Sequence, residues 1–238
     1  MVSARFYLLK SMELEAEVST DWLINAGSVK DELITTLTQC DSNLLQNLQA
    51  LESRASIKTY YSFFRLRGKP AILGSTIKGI VRSRLAGDLH NEILESKTSV
   101  VELLGGGFGK RSEHFDSLFY FGNFLYFGDS EAQDFRLVYE KDLPDTIYEA
   151  AKKGTKFRGY IYCREIDYNK LIRYTQLILK ALNITPDSVE AQKEIFFGRF
   201  SAHGQKGEPV SISFVSDQNY FNAIFGGVKF RLIRGCEV

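Results

Sequence analysis

The chain has 238 residues, of which 44% are hydrophobic and 13% aromatic, enough for one large core or one core with a substantial insertion. Its 30 Lys and Arg residues nearly balance 29 Asp and Glu residues, so the formal net charge is +1. This balance argues against a protein that binds nucleic acid through a general positive field. Any such contact has to come from a local basic patch, and we expect neighbouring subunits in an assembly to assist it.

The first third of the chain predicts a strand, a helical stretch and a second strand. Residues 5–19 alternate apolar and acidic side chains, which is typical of a strand with one face in water. Residues 28–55 carry apolar side chains at helical spacing. Residues 57–67 return to a strand composition that is rich in aromatic residues.

The middle of the chain predicts a turn, a long helix and a loop. Gly68 and Pro70 mark the turn, and the helix runs from residue 74 to about residue 94. A glycine-rich loop is predicted at residues 105–111. The buried stripe of the helix, at a spacing of four residues, is Ile77, Val81, Leu85 and Leu89.

The remaining segments also mix both element types without a regular strand–helix alternation. Helices are predicted at residues 169–182 and 188–195. This mixture indicates an α+β fold and not a doubly wound α/β fold. Strands are predicted around residues 118–128, 135–140, 157–166, 210–215 and 228–233.

The segment from Ala71 to Arg82 is the most informative part of the sequence. A glycine turn at Gly74 leads into a helix, and the first N–H groups of a helix favour an anion. Ser75, Lys78 and Arg82 lie at positions i, i+3 and i+7, on one helical face. This pattern suits a phosphate cradle. It suits equally an ordinary capped helix with a solvated basic face.

The same segment resembles the Pro-Gly-Ser-Ser-Leu-Lys-Gly-x-x-Arg signature of the RAMP superfamily, whose members build the backbones of type III CRISPR complexes. Leu73 stands in place of the proline, Thr76 in place of the second serine and Ile77 in place of the leucine. These changes keep the turn, the cap and the basic face.

Three later segments resemble the same family in the same order, so that the resemblance covers about residues 5–215. His114–Gly128, followed by Asp129, is similar to the family's Leu-Phe-Gly…Asp segment. Lys153–Gly159 is similar to its entry into a central strand, and Phe197–Gly204 to its C-terminal glycine-rich loop.

The resemblance implies a modified ferredoxin-like, RRM-like fold in a single domain spanning residues 1–238. The helical stretch at about 28–55 would be an insertion, and a C-terminal extension would begin at about residue 216. The implied role is a structural subunit that binds guide RNA in a type III antiviral ribonucleoprotein complex. Its partners would be guide RNA, target RNA and other subunits. The implied contacts to the guide RNA are Gly74, Ser75, Thr76, Lys78 and Arg82.

Slicing members of the family carry an aspartate shortly before the Gly-Ser motif, where it supports metal-dependent cleavage. Residues 56–73 contain no Asp or Glu, and the aligned position falls near Lys58 or Thr59. We therefore expect no catalytic residue, metal or cofactor. A Mg²⁺-dependent endoribonuclease using Asp41 or Glu52 is one alternative. A protein-interaction module without RNA contact, built from the 28–55 helices and the hydrophobic C-terminal segment, is another.

Further candidate RNA contacts lie in three basic segments. In residues 56–73, which contain no Asp or Glu, cations alternate with aromatic rings. This pattern suits RNA binding, although an ordinary strand with exposed cations would have the same pattern. The loop at 105–111 lacks Walker spacing, because Leu104 and Arg111 stand where glycine and Ser or Thr are needed. The candidate contacts are Lys58, Arg65, Arg67, Lys110, Arg111, Arg199 and His203.

The remaining signals favour ordinary structural roles. Glu13, Glu15 and Glu17 imitate a metal-binding ladder, but a solvated strand face explains them better. The three histidines and three cysteines lack metal-ligand spacing. The first residues do not form a signal peptide, and no apolar run could span a bilayer, so we expect a cytoplasmic protein without membrane contact.

Overall fold

The computed structural model describes residues 10–29, 59–86, 97–108, 113–140, 143–164, 166–184, 193–197 and 224–234. Within these ranges the fold is mixed α+β and is dominated by a curled, mainly antiparallel sheet. The helices are α1 (Gly74–Ala86), α2 (Lys97–Leu104), the short α3 (Glu131–Asp134) and α4 (Tyr168–Ala181).

The described part of the chain contains fourteen strands of two to eleven residues. They are β1 (Lys10–Val18), β2 (Trp22–Val29), β3 (Thr59–Phe63), β4 (Arg65–Leu66), β5 (Lys69–Ile72), β6 (Gly106–Phe108), β7 (Glu113–Phe115), β8 (Phe119–Phe121), β9 (Phe124–Tyr126), β10 (Phe135–Glu140), β11 (Leu143–Lys152), β12 (Lys156–Cys163), β13 (Ile195–Phe197) and β14 (Ile224–Arg234).

Twelve of these strands belong to one sheet, whose order is β10-β11-β3-β2-β14-β1-β12-β9-β5-β4. In addition, β8 pairs with β12 and β13 pairs with β14, while β6 and β7 form a separate hairpin. The pairing of β3 with β11 is parallel. The centre of the sheet is therefore β14-β1-β12, where strands distant in sequence meet.

The core lies between one face of this central sheet and the helices. Met12, Leu14, Ala16 and Val18 of β1 are fully buried, as the alternating pattern predicts. The inward residues of β12 and β14 join the same apolar cluster as the buried stripes of α1, α2 and α4. Full burial of one large apolar side chain contributes about 1.5–3 kcal/mol, so this shared cluster holds the helices against the sheet.

The helix α4 shows why local sequence and packing agree in this layer. The Asp167 carboxylate accepts hydrogen bonds from the backbone N–H groups of Asn169 (3.0 Å) and Lys170 (3.2 Å), which caps the helix. Its inward face, which includes Leu171, Tyr174 and Ile178, is buried. The predicted helix at 169–182 is therefore confirmed with a shift of one residue.

Several expectations for individual segments differ from the structure. Residues 28 and 29, predicted to begin a helix, end strand β2, and residues 30–55 lie outside the described residues. Gly106–Phe108, expected as loop, pairs with Glu113–Phe115. Ile195, expected at a helix end, begins β13. The strands β2, β5, β7 and β11 were not predicted, and β5 lies where a turn at Gly68 and Pro70 was expected to lead directly into the helix.

The end of the chain takes part in the centre of the sheet. Residues from about 216 onward are expected to form an extension, and β14 belongs to this region. This strand pairs with both β1 and β2. The long helix predicted at residues 74–94 is present as α1 up to Ala86, and residues 87–94 lie outside the described residues.

Candidate nucleic-acid interface

The turn at Gly74 is held against the loop that joins β8 to β9. The Gly74 N–H donates a hydrogen bond to Asn123 Oδ1 at 3.0 Å. A Cβ at this position would overlap the backbone carbonyl oxygen of Phe121 and come within 2.5 Å of that of Gly122. Backbone carbonyls cannot move aside as a flexible side chain can, so the close approach requires glycine. The start of α1 is thus fixed in place.

The first N–H groups of α1 have partners in the chain itself. The carbonyl of Leu73 accepts from the N–H groups of Thr76 (3.0 Å) and Ile77 (3.3 Å), and Asn123 serves Gly74. An anion at this helix start would therefore depend on the positive end of the dipole and on nearby side chains more than on these three amides.

The two faces of α1 separate as the sequence predicts. Ile77, Val81 and Leu85 are at most 1% exposed and pack in the core. Ser75 is exposed, and Lys78, one helical turn later, is half-buried. Burial lowers the pKa of Lys78, and the positive charge of Arg82 lowers it further. Among the described residues no carboxylate forms an ion pair with Lys78, so nothing there offsets these costs.

Arg82, a predicted RNA contact, has partners within the chain. Its Nη2 donates to the carbonyl oxygens of Leu104 (3.2 Å) and Gly105 (2.7 Å), where α2 ends. A cation is favoured at that end because the helix dipole is negative there. Gly105 has a φ of +70°, typical of a helix-ending glycine. Arg82 therefore ties α1 to the end of α2.

Arg65 and Arg67 lie on the β4–β5 hairpin but in unlike surroundings. Arg65 contacts Glu131 and Glu149, each at 2.7 Å. Burial alone would lower the pKa of Arg65, but the charges and hydrogen bonds of the two glutamates outweigh burial and raise it. Arg67 is exposed at the tip, where positive φ values at Arg67 and Gly68 suit a two-residue turn. Arg65 stabilises the hairpin, whereas Arg67 faces water.

The other predicted site residues lie outside the described residues. This group contains the candidate RNA contacts of the second basic loop and the C-terminal loop as well as both carboxylates of the nuclease alternative. Its members are Asp41, Glu52, Lys58, Lys110, Arg111, Arg199 and His203.

The face of β1, β12 and β14 that is turned away from the helices, here called the outer face, carries a charged cluster. Glu15 of β1 is 2% exposed, in contrast to the solvated side chain predicted for it. Arg158 donates two hydrogen bonds to Glu15 at 3.1 Å, Arg231 donates one at 2.7 Å, and Lys156 lies 3.6 Å away. Burial alone would raise the pKa of Glu15, but these cations lower it. Glu15 thus anchors three cations.

Aromatic rings continue the outer face along β12. The Tyr160 and Tyr162 rings are stacked, with centroids 6.0 Å apart. Tyr120 of β8 lies opposite Tyr162 in the strand register, so its side chain stands on the same face. Arg158 lies over the Phe127 ring, 3.6 Å from its centroid. Cations and rings therefore alternate with core residues along a single strand.

This outer face was missed in the sequence, although a signal for it is present. From Lys156 to Cys163, cationic and aromatic residues occupy every second position, and Phe157, Gly159, Ile161 and Cys163 fall between them. A period of two marks a strand with two different faces. The sequence does not reveal that β14 adds Arg231 to this face, because only strand pairing brings Arg231 beside Glu15.

The described residues contain neither a candidate metal cluster nor a candidate membrane helix. Within those residues, no three His, Cys, Asp or Glu side chains are placed to hold a metal ion together. None of the helices described has both the length and the apolar character needed to cross a membrane.

Some solved structures have a fold similar to this chain but share little of its sequence. No family model and no curated protein matches it. A chain of a type IV-B CRISPR complex is 10% identical, with 71% of this chain and 80% of that chain covered and a TM-score of 0.41. Cmr6 from Pyrococcus furiosus is 12% identical, with coverages of 74% and 91% and a TM-score of 0.36.

A third similar structure is Csc2 from Thermofilum pendens, at 9% identity. The match covers 95% of this chain and 66% of that one, with a TM-score of 0.36. At TM-scores below 0.5 these likenesses do not decide the function, which has to be inferred from the side chains of the chain itself.

Proposed function

We propose that this chain is a structural subunit that binds guide RNA in a CRISPR effector complex of type III, acting in antiviral defence without cutting RNA. The observation that carries the proposal is the start of α1, which Asn123 and the β8–β9 loop hold in place. There Ser75 is exposed and Lys78 lacks a described carboxylate partner at the positive end of the helix. A phosphate would satisfy both side chains.

The electrostatics of Lys78 favour an anionic partner. Its charged form is disfavoured by burial and by Arg82, so a nearby phosphate would recover part of that cost. Contacts of this kind hold a nucleic-acid backbone without reading its bases, which suits a subunit that has to accept guides of any sequence.

The strand order supports a ferredoxin-like frame beneath this site. Four strands of the sheet centre run in the order β14-β1-β12-β9. Along the chain, α1 lies between β1 and β9, and α4 lies between β12 and β14. We read this order as the β-α-β-β-α-β connectivity of a ferredoxin-like unit. The further elements are then insertions: β2 to β5 before α1, α2 and β6 to β8 before β9, α3, β10 and β11 before β12, and β13 before β14.

The proposal is tested by RNA binding of the full chain. A labelled single-stranded RNA of about 12 nucleotides is titrated by fluorescence anisotropy at several salt concentrations. We expect Ser75→Ala with Lys78→Ala to weaken binding about tenfold and to reduce the salt slope by roughly 0.7–1, because one cation–phosphate contact is lost. Gly79→Ala, next to Lys78 with no atom within 4 Å of the added carbon, is the matched control.

Unchanged affinity and unchanged salt slope in the double variant would rule out the proposed site. Arg82→Ala is a poorer test, because Arg82 also contacts the end of α2 and its loss would disturb the packing of two helices.

A further inference from the structure

We propose that the outer face is a second RNA surface, which stacks unpaired bases on Tyr120, Tyr160 and Tyr162 and holds phosphates with the cations around Glu15. This inference rests on the proposed function, since it requires the chain to bind RNA. It adds a separate site and a substrate class, single-stranded RNA recognised through the faces of its bases.

The aromatic end of the outer face is open to solvent. The Tyr120 and Tyr160 side chains are 40% and 41% exposed. Tyr160 and Tyr162 are already stacked on each other, so the ring geometry is set before a ligand arrives. When a base stacks on these rings, the tyrosine side chains lose little further conformational entropy. Every base offers a face that can stack.

The cationic end is organised by a carboxylate that is itself hidden. Glu15 is buried, whereas the side chains of Arg158 and Arg231 are 32% and 55% exposed. Arg158 uses its Nε and Nη2 on Glu15, and Arg231 uses its Nη2. A guanidinium has five N–H donors, so each arginine retains donors for a phosphate while Glu15 holds it in position.

The β8–β9 loop contacts both the outer face and the start of α1. The Gly122 N–H donates to the carbonyl of Tyr160 at 2.8 Å, and a Cβ on Gly122 would lie 3.4 Å from the Tyr162 ring. The next residue, Asn123, accepts from the N–H of Gly74. One RNA strand could therefore run from Lys78 across this loop to the tyrosines.

Charge distinguishes RNA from a protein partner on this face. The centre of a protein–protein interface is usually depleted of charged residues. Here cations stand among the rings and outnumber the acids, and one acid is buried under them. The described charged residues, placed by strand register, are Lys156, Arg158, Lys229, Arg231 and Arg234 against Glu13, Glu15 and Glu17.

The experiment uses the full chain and the same labelled RNA, together with its duplex form. We expect Tyr160→Ala with Tyr162→Ala to weaken single-strand binding about tenfold or more while leaving the salt slope unchanged, because stacking releases no counterions. The corresponding Tyr→Phe double variant keeps both rings and should bind like the wild type. Tyr168→Ala, at an exposed tyrosine on α4, is the matched control.

The outcomes separate this inference from the proposed function. Loss of affinity in the alanine variant but not in the phenylalanine variant supports stacking. If the alanine variant binds like the wild type while Ser75→Ala with Lys78→Ala weakens binding, the outer face does not bind RNA and the site at α1 remains. Equal loss for single-stranded and duplex RNA would also overturn base stacking, and no binding by the wild type at low salt would overturn both proposals.

Discussion

Along β12, Phe157, Ile161 and Cys163 point into the core, whereas Lys156, Arg158 and Tyr160 stand on the outer face. The inward residues contact rings and helices from several parts of the chain, and Phe157 alone packs near Phe63, Tyr126 and Phe135. The outer residues contact charged and aromatic side chains such as Glu15 and Phe127, and they remain partly exposed. The two faces of one strand therefore differ: the inner face packs in the apolar core, and the outer face carries charged and aromatic side chains that are partly exposed.

The largest expected loss of stability comes from a substitution on the inner face of β12. Phe157→Ala should lower the free energy of unfolding by about 3–5 kcal/mol, because it removes a fully buried ring and leaves a cavity. Tyr160→Ala, three residues later on the outer face, should cost less than about 1 kcal/mol. Urea unfolding followed by circular dichroism measures both. Similar costs for the two variants would contradict the division between the faces.

The next effect concerns the charged cluster of the outer face. Glu15→Gln should lower the free energy of unfolding at pH 7 by about 1.5–3 kcal/mol, because hydrogen bonds to a buried carboxylate are lost. The pKa of Glu15 is lower in the folded protein than in the unfolded chain, so its stabilisation is present above an unfolded pKa of ~4.3 and is lost as the pH falls through the folded value.

The difference in the free energy of unfolding between wild type and Glu15→Gln should therefore become smaller below about pH 4. Glu17→Gln is the control on the same strand face, because the Glu17 side chain is 48% exposed and its contact with Lys156 is long, at 3.8 Å. It should change the stability by less than about 0.5 kcal/mol at any pH. A pH-independent difference for Glu15→Gln would mean that its charge does not stabilise the fold.

The smallest pair of effects compares two glycines on α1. Gly74→Ala should destabilise by about 1–3 kcal/mol, because the methyl group meets rigid backbone at Phe121 and Gly122. Gly79→Ala should stabilise by about 0.5–1 kcal/mol, because the position is open and alanine favours the helix. Thermal unfolding distinguishes the two signs. A stabilising Gly74→Ala would show that the turn is not locked.

Much of the helical layer could be predicted from the sequence. The stripe of α1 at Ile77, Val81 and Leu85 is confirmed, as are the α+β mixture and the buried face of β1. These features depend on local periodicity, which a single segment displays by itself. The roles of Ser75 and Lys78 remain predictions that the binding experiment tests.

The partners of charged side chains could not be predicted in the same way. Arg65 pairs with Glu131 and Glu149, and Arg82 contacts the end of α2, partners that the local sequence does not indicate. The RNA contacts of both arginines stay predictions. Glu15 was expected in water and is buried. In each case the partner is tens or hundreds of residues away in the chain, so its approach depends on strand pairing and helix packing.

The sequence by itself determined which residues alternate, which helix face is apolar and where glycine permits a turn, because these properties depend on neighbours within one or two turns of chain. The tertiary structure alone decided that β14 lies beside β1 and that Arg231 meets Glu15, a contact between residues 216 positions apart. A hydrogen bond or ion pair is effective over only a few ångströms, so its existence depends on the packing that brings the two groups together.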